Sequence, residues 1–239
     1  MRSGWRVALT FNVLLEPRPE AEPAGPVEEV AALLREHFVT PVRLPYRTKD
    51  GDPPQRLAIL LDHEYSRRGL TAGRLKGEDV ERAALVRAAA EAAGYGSVLA
   101  QAEIDETWDA EVEDYLDDED YEVGELLAGN TVLTWWADRD SAGEIHLALG
   151  DEEVCAPTPS HRLTPYDSEY EGYMGNYGNT VERWYRRAAV LVWPADAGFG
   201  MRAEASPGWA LERITESLAR GERDRAREEA RALVKEWGP

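Results

Sequence analysis

The sequence predicts an α/β or α+β fold: a central mixed sheet, one covering helix, a β-hairpin and a C-terminal helical pair. Three observations predict it. First, Trp184 to Pro194 (WYRRAAVLVWP) becomes a continuous apolar run stopped by proline, the pattern of a strand buried on both faces. Second, Arg56–His63, Asp79–Ala93 and Ser97–Ile104 read as strand, helix and strand, which predicts a crossover joining a parallel pair. Third, Pro207–Arg220 and Glu222–Trp237 each carry an apolar face at helical spacing, with a break at Gly221. A chain of 239 residues is long enough to bury a sizeable core.

Taken in order, Trp5 to Leu15 is rich in Val, Leu, Phe and Thr and reads as a strand. Residues 17–26 hold four prolines among acidic residues and read as an extended linker. Pro26 suits a first helical turn, and Val27, Val30, Ala31, Leu34 and Phe38 recur at helical spacing to about His37. His37, near the C-terminal end of that helix, reads as a surface residue compatible with its dipole. Pro41 to Pro54 is loop, with a turn at residues 49–52.

Arg56 to His63 (RLAILLDH) has an unbroken apolar centre and ends at Asp62-His63-Glu64. These are metal-ligand types, but neighbours on a strand point to opposite faces, so they do not converge on one ion; hydrogen bonding at a turn is the expected role. Asp79 to Ala93 is the strongest helix, alanine-rich and stopped by Gly94. Gly69, Gly73 and Gly77 have neither dinucleotide nor P-loop spacing, which argues against a nucleotide site.

From Glu103 to Glu125 there are 13 acidic residues and no basic one. Val123 stands where a calcium-binding EF-hand loop needs glycine, so an acidic, solvated excursion is expected, with docking of a basic partner as its functional counterpart. Thr131–Ala137 and Glu144–Leu149 flank a turn-rich segment and read as a hairpin. Trp135 and Trp136 are adjacent on it, so one is expected to face outward. Residues 151–167 read as loop. Cys155 lies among carboxylates that should raise its thiol pKa, and Ser160-His161 adjacency makes no triad. Before the last strand, residues 172–179 (GYMGNYGN) read as a shaped loop, because Gly and Asn tolerate positive φ.

Composition narrows the function. A formal net charge of −19 and a pI near 4.6 argue against nucleic acid, whose phosphates need a basic face. One cysteine leaves no internal disulfide and suits a reducing cytoplasm. Neither a secretory leader nor an apolar run of the ~20 residues needed to span a membrane is expected. The Ala, Arg and Glu richness suits a GC-rich bacterial genome.

Four ordered stretches also carry a family resemblance. They are Ser3–Asn12 (SGWRVALTFN), Leu60–Tyr65 (LLDHEY) with Leu75–Asp79 (LKGED), Glu169–Pro194 (EYEGYMGNYGNTVERWYRRAAVLVWP) and Trp209-Ala210-Leu211. Together they resemble the region following the iron site in large 2-oxoglutarate/Fe(II) dioxygenase-like proteins related to prolyl hydroxylases, and span essentially the whole chain. The resemblance implies that residues 1–16 match the last strand of an oxygenase barrel. It further implies a linker over 17–26, an α/β domain over 27–200 and a helical pair over 201–239. Such oxygenases hold iron with His-x-Asp and a distal His; in the family these precede the Ser-Gly-x-Arg stretch, which here begins at Ser3. The implied role is therefore an accessory C-terminal region, with Fe(II) and 2-oxoglutarate belonging to the full-length family rather than to this chain. By the same resemblance Arg6 matches the arginine that pairs with the 2-oxoglutarate carboxylate, a bidentate role that suits guanidinium.

The residues themselves also suggest a candidate ligand or partner surface of Asn176, Asn179, Arg183, Arg186, Trp135 and Trp136, with Arg187 alongside. The expected partner is a separate oxygenase-like chain or a basic protein. The competing class is a stand-alone interaction module using the acidic surface.

Overall fold

The computed structural model describes residues 25–43, 50–112, 121–138, 141–172 and 179–237. The expected opening strand with Arg6, nearly all of the linker, Lys49, Asp117–Asp120 and Asn176 lie outside the described residues.

The apolar run forms the central strand β7 (Thr180–Pro194) of a seven-stranded mixed sheet. The earlier strands are β1 (Leu57–Leu60), β2 (Tyr95–Val112), β3 (Tyr121–Trp136), β4 (Gly143–Leu149), β5 (Val154–Cys155) and β6 (Asp167–Glu171). Their order is β4-β3-β2-β7-β1-β5, with β6 pairing β7 further along the side that β1 also uses. β2 lies antiparallel to β7 from Tyr95 opposite Pro194 to Asp109 opposite Thr180. On the other side Leu57–Leu60 pair with residues 189–192 and Asp167–Glu171 with residues 180–184.

This corrects the expected parallel pair. β1 and β2 do run in the same direction, but β7 stands between them and is antiparallel to both. The physical reason is burial: Val190, Leu191 and Val192 are each 0% exposed, so the most apolar strand takes the position with neighbours on both edges. The parallel partner of β1 is instead β5, within the segment expected to be loop.

Alternation divides the core between two faces. On one face, Ile59, Leu99, Ala188, Val190 and Val192 meet α1 (Val27–His37) and α2 (Glu78–Ala93) through Leu34, Phe38, Ala83, Val86 and Ala90. Small alanines bring α2 close to the strands, and Gly94, at φ +76°, ends it in the left-handed conformation that a side chain would strain. On the other face, Leu60, Leu133, Leu147, Ala189 and Leu191 meet Met201 and Ala205 of α3 (Gly198–Ala205). The tail α4 (Pro207–Ala219) and α5 (Arg223–Trp237) matches the expected helical pair; α3 is additional and packs against both. His37 is partly buried rather than on the surface: its Nε2 is enclosed without a hydrogen-bond partner among the described residues, and desolvation pushes its pKa down against the nearby Arg56 carbonyl and Glu152.

The acidic stretch is not a loop throughout. β2 continues past Ile104 to Val112 and β3 starts at Tyr121, so carboxylates from Glu103 onward ride on a long strand, flanked by β3 and β7 as far as Asp109 and by β3 alone beyond it. A strand tolerates them where their side chains reach water, and the ladder to β7 and β3 supplies the order that composition does not. Beyond this stretch β3 and β4 form the expected hairpin, from Thr131 opposite Leu149 to Trp136 opposite Gly143. No helix among the described residues is long and apolar enough to cross a membrane.

Candidate functional site

The densest polar cluster lies where β1 ends and α2 begins. Asp79, in the first turn of α2, is 0% exposed. Its carboxylate accepts hydrogen bonds from the Asp62 N–H (2.8 Å), the His63 N–H (3.1 Å) and the Tyr65 hydroxyl (2.9 Å). His63 Nδ1 lies 2.8 Å from the same carboxylate; an ionised carboxylate only accepts, so Nδ1 carries the hydrogen. Tyr65 Oη in turn accepts from the Lys76 N–H at 2.8 Å. One buried acid thus holds the loop after β1 against the start of α2, where a negative charge is also favoured by the helix dipole.

Arg187, from the middle of β7 and 1% exposed, enters the same cluster. It donates from Nε to the Leu61 carbonyl (2.8 Å), from Nη1 to the Thr158 carbonyl (2.9 Å) and Ser160 Oγ (3.3 Å), and from Nη2 to Asp62 Oδ1 (3.4 Å). Arg82 reaches the same Asp62 oxygen at 3.0 Å. Burial pushes the Asp62 carboxyl up, but Arg82, the Thr158 hydroxyl and Arg187 outweigh it and hold it below the usual carboxylate range. Two arginines thus face two aspartates, which offsets much of the cost of taking charge out of water.

The second feature is a hollow of about 360 Å³ on the α2 side of the sheet, beyond the helices. Glu103 and Asp105 of β2, Thr134 of β3, His146 of β4, Trp184 of β7 and Tyr166 line it. Arg186 lies at its lip, 4.2 Å above the Tyr166 ring and 3.4 Å from Glu103. Asp105 accepts from Asn130 Nδ2 at 3.4 Å. The Thr134 hydroxyl is enclosed and has no hydrogen-bond partner among the described residues.

A third feature lies on the opposite face. Arg202 of α3, 4% exposed, sits 4.3 Å from the Trp136 ring and 5.3 Å from that of Trp209. It donates to the Ser141 carbonyl at 2.9 Å, while its Nε and Nη1 find no hydrogen-bond partner among the described residues. Burial pushes its pKa down to about 10, with Asp138 opposing, so the guanidinium keeps its charge at neutral pH.

No family model, curated protein or solved structure matches this chain.

The residues singled out in the sequence do not form one surface. Arg186 and Trp135 belong to the α2 face; Trp136 and Arg183 belong to the other. Neither tryptophan faces freely outward: Trp136 is buried against Trp193, and Trp135 is partly covered by Arg67, 5.0 Å above its ring. Arg187 is interior. Asn179 uses its carbonyl to accept from the Ala110 N–H at 3.0 Å. Asp62, His63 and Glu64 do not converge; among the described residues no group of three or more His, Cys, Asp or Glu could hold a metal ion. His161 packs edge-on against Trp108, with centroids 5.5 Å apart. Cys155 is exposed, yet partial desolvation by its surroundings raises its thiol pKa, with Arg82 opposing the shift; the carboxylates adjacent in sequence are not the cause. Sequence reasoning missed Asp79 and Arg202. An acid in a first helical turn, downstream of Asp-His at a strand end, is the signal that could have found Asp79; Arg202 follows Gly198 and Gly200 in a segment that carries no such signal.

Proposed function

We propose that this chain is the accessory C-terminal region of a 2-oxoglutarate/Fe(II) dioxygenase-like protein, a scaffold that does not perform iron chemistry alone. The observation that supports the reading most is the convergence of the resembling stretches. Leu61–Tyr65 and Lys76–Asp79 come from separate parts of the chain and meet around the Asp79 carboxylate, and Arg187 joins them through the Leu61 carbonyl and Asp62. Residues shared for such a purpose are explained by architecture, without a reaction at this place. The donor set agrees: Asp62 is engaged by Arg82 and Arg187, and His63 Nδ1 faces Asp79. These residues do not fit an iron centre.

On this reading the iron and 2-oxoglutarate belong to a barrel supplied by another polypeptide or segment, in the cytoplasm, and Arg6 would reach the 2-oxoglutarate carboxylate there. The experiment is affinity purification of the tagged chain from its native source, with identification of what elutes. The expected companion holds a His-x-Asp pair and a distal His, and the complex releases succinate from 2-oxoglutarate. Elution without any such polypeptide, together with no succinate release, contradicts the accessory role.

A second reading, an interaction module for a basic partner, is favoured by one observation. The acidic stretch is partly built into a strand, so Glu103, Asp105 and Glu106 hold fixed positions between β3 and β7, and fixed charge steers a partner of opposite sign.

A further inference from the structure

We infer that the hollow on the α2 side of the sheet is a recognition pocket for a protonated primary amine, presented as a lysine side chain by a basic partner protein. The inference deepens the interaction-module reading and rests on it.

Charge is the first argument. Glu103 and Asp105 are two apart on β2 and both line the hollow. Arg186 approaches Glu103 at 3.4 Å, whereas Asp105 has only the neutral Asn130 amide and no cationic partner among the described residues. The hollow therefore attracts a cation and disfavours carboxylate or phosphate ligands.

Wall chemistry selects the kind of cation. Trp184 and Tyr166 present aromatic surface, which favours an organic ammonium over a strongly hydrated metal ion. The chain itself illustrates the preference, since the Arg186 guanidinium rests on Tyr166 at 4.2 Å. The Thr134 hydroxyl, enclosed and without a partner among the described residues, is an independent sign that a group belongs there, because enclosed polar atoms normally find one. Glu103, Asp105 and Thr134 together offer three acceptors, matching the three donors of an ammonium. A volume of about 360 Å³ accommodates an aliphatic stem as well as its head.

The test uses the full chain labelled with ¹⁵N and follows the Trp184 indole and Thr134 amide signals. The probes are n-butylammonium chloride, the peptide Gly-Gly-Lys-Gly-Gly, and the same peptide with its lysine acetylated. We expect both cations to shift these signals and the acetylated peptide to leave them in place. Asp105→Asn, isosteric and on the open side of the sheet, should weaken binding by about tenfold, as loss of one charge-assisted contact does. Arg186→Ala should instead tighten it, because removing the resident cation frees Glu103 and the Tyr166 face. Should Asp105→Asn perturb the fold, Thr134→Val provides the second test and should also weaken binding.

Shifts with butylammonium but not with the lysine peptide would overturn the lysine source and leave a small-amine pocket. No shift with either cation overturns the pocket. If a basic protein still binds the chain, with Asp105→Asn making no difference, the interaction-module reading survives while the hollow is excluded as its contact.

Discussion

Replacing Asp79 by Ala removes the acceptor for two backbone N–H groups, the Tyr65 hydroxyl and His63 Nδ1 at one stroke. The magnitude follows from where each donor can go afterwards. The His63 ring is 45% exposed and can turn to water, and the two backbone groups are partly buried. Tyr65 is 6% exposed and its hydroxyl keeps only the Lys76 N–H contact, in which it accepts. Arg82 and Arg187 also lose a compensating charge nearby. The expected loss is about 3–5 kcal/mol, the range for breaking a buried hydrogen-bonded charge. In a domain of this size that corresponds to roughly 10 °C in Tm. Urea unfolding followed by circular dichroism should show a lower midpoint with an unchanged slope. Tyr65→Phe alone should cost about 1 kcal/mol, and much less than that in the Asp79→Ala background, because the two share one contact. An Asp79→Ala protein within about 0.5 kcal/mol of the parent, below any of these effects, would refute the assignment of this carboxylate as the centre of the cluster.

Other outcomes follow from the same structure. Gly96→Ala should lose about 1–3 kcal/mol through overpacking, because an added Cβ would lie 2.4 Å from the rigid Trp193 ring; calorimetry that finds no loss contradicts that packing. Arg202→Met should change stability by no more than about 1 kcal/mol, since the lost aromatic contacts are offset by removing a buried charge with unsatisfied N–H groups; a loss of several kcal/mol in urea melts would contradict this. Asp62 is held below its ordinary pKa, so its contribution is present above the unfolded value of about 4 and disappears as pH falls through the lower folded value. The pKa of Tyr65 is raised mainly by burial, opposed by the Lys76 N–H and reinforced by Asp79. Its contribution is therefore complete below about pH 10 and falls as pH rises beyond it. Equilibrium unfolding across pH checks both signs, and a Tyr65→Phe protein should resist alkali better. Partial desolvation raises the Cys155 pKa despite Arg82, so alkylation at neutral pH should be slower than for an unperturbed thiol and accelerate with pH.

What was legible in the sequence is what local pattern controls. α1, α2, the β3/β4 hairpin and the apolar part of β7 each announce themselves by period, caps or an unbroken apolar run. The position of β7 between β1 and β2 does not, because partners as far apart in sequence as Leu57 and Val192, or Tyr95 and Pro194, leave no local trace. The acidic half of β2 was hidden for a related reason: Glu103, Asp105 and Asp109 oppose strand propensity, and their strand state comes from the ladders on both sides. α3 was masked by Gly198 and Gly200, which read as breakers although the helix is stabilised by burying Met201 and Ala205. At the cluster, Asp62 and His63 were legible as turn residues, but Asp79 and Arg187 join them only through tertiary contact. The hollow was least legible, since its lining is drawn from β2, β3, β4, β7 and Tyr166, which meet only in the folded sheet.

The most direct test of the central claim is to give the purified chain Fe(II), ascorbate and 2-oxoglutarate and to measure succinate. The account predicts no iron-dependent succinate from the chain alone, and succinate when a polypeptide carrying His-x-Asp and a distal His is added. Iron-dependent turnover by the isolated chain would contradict it.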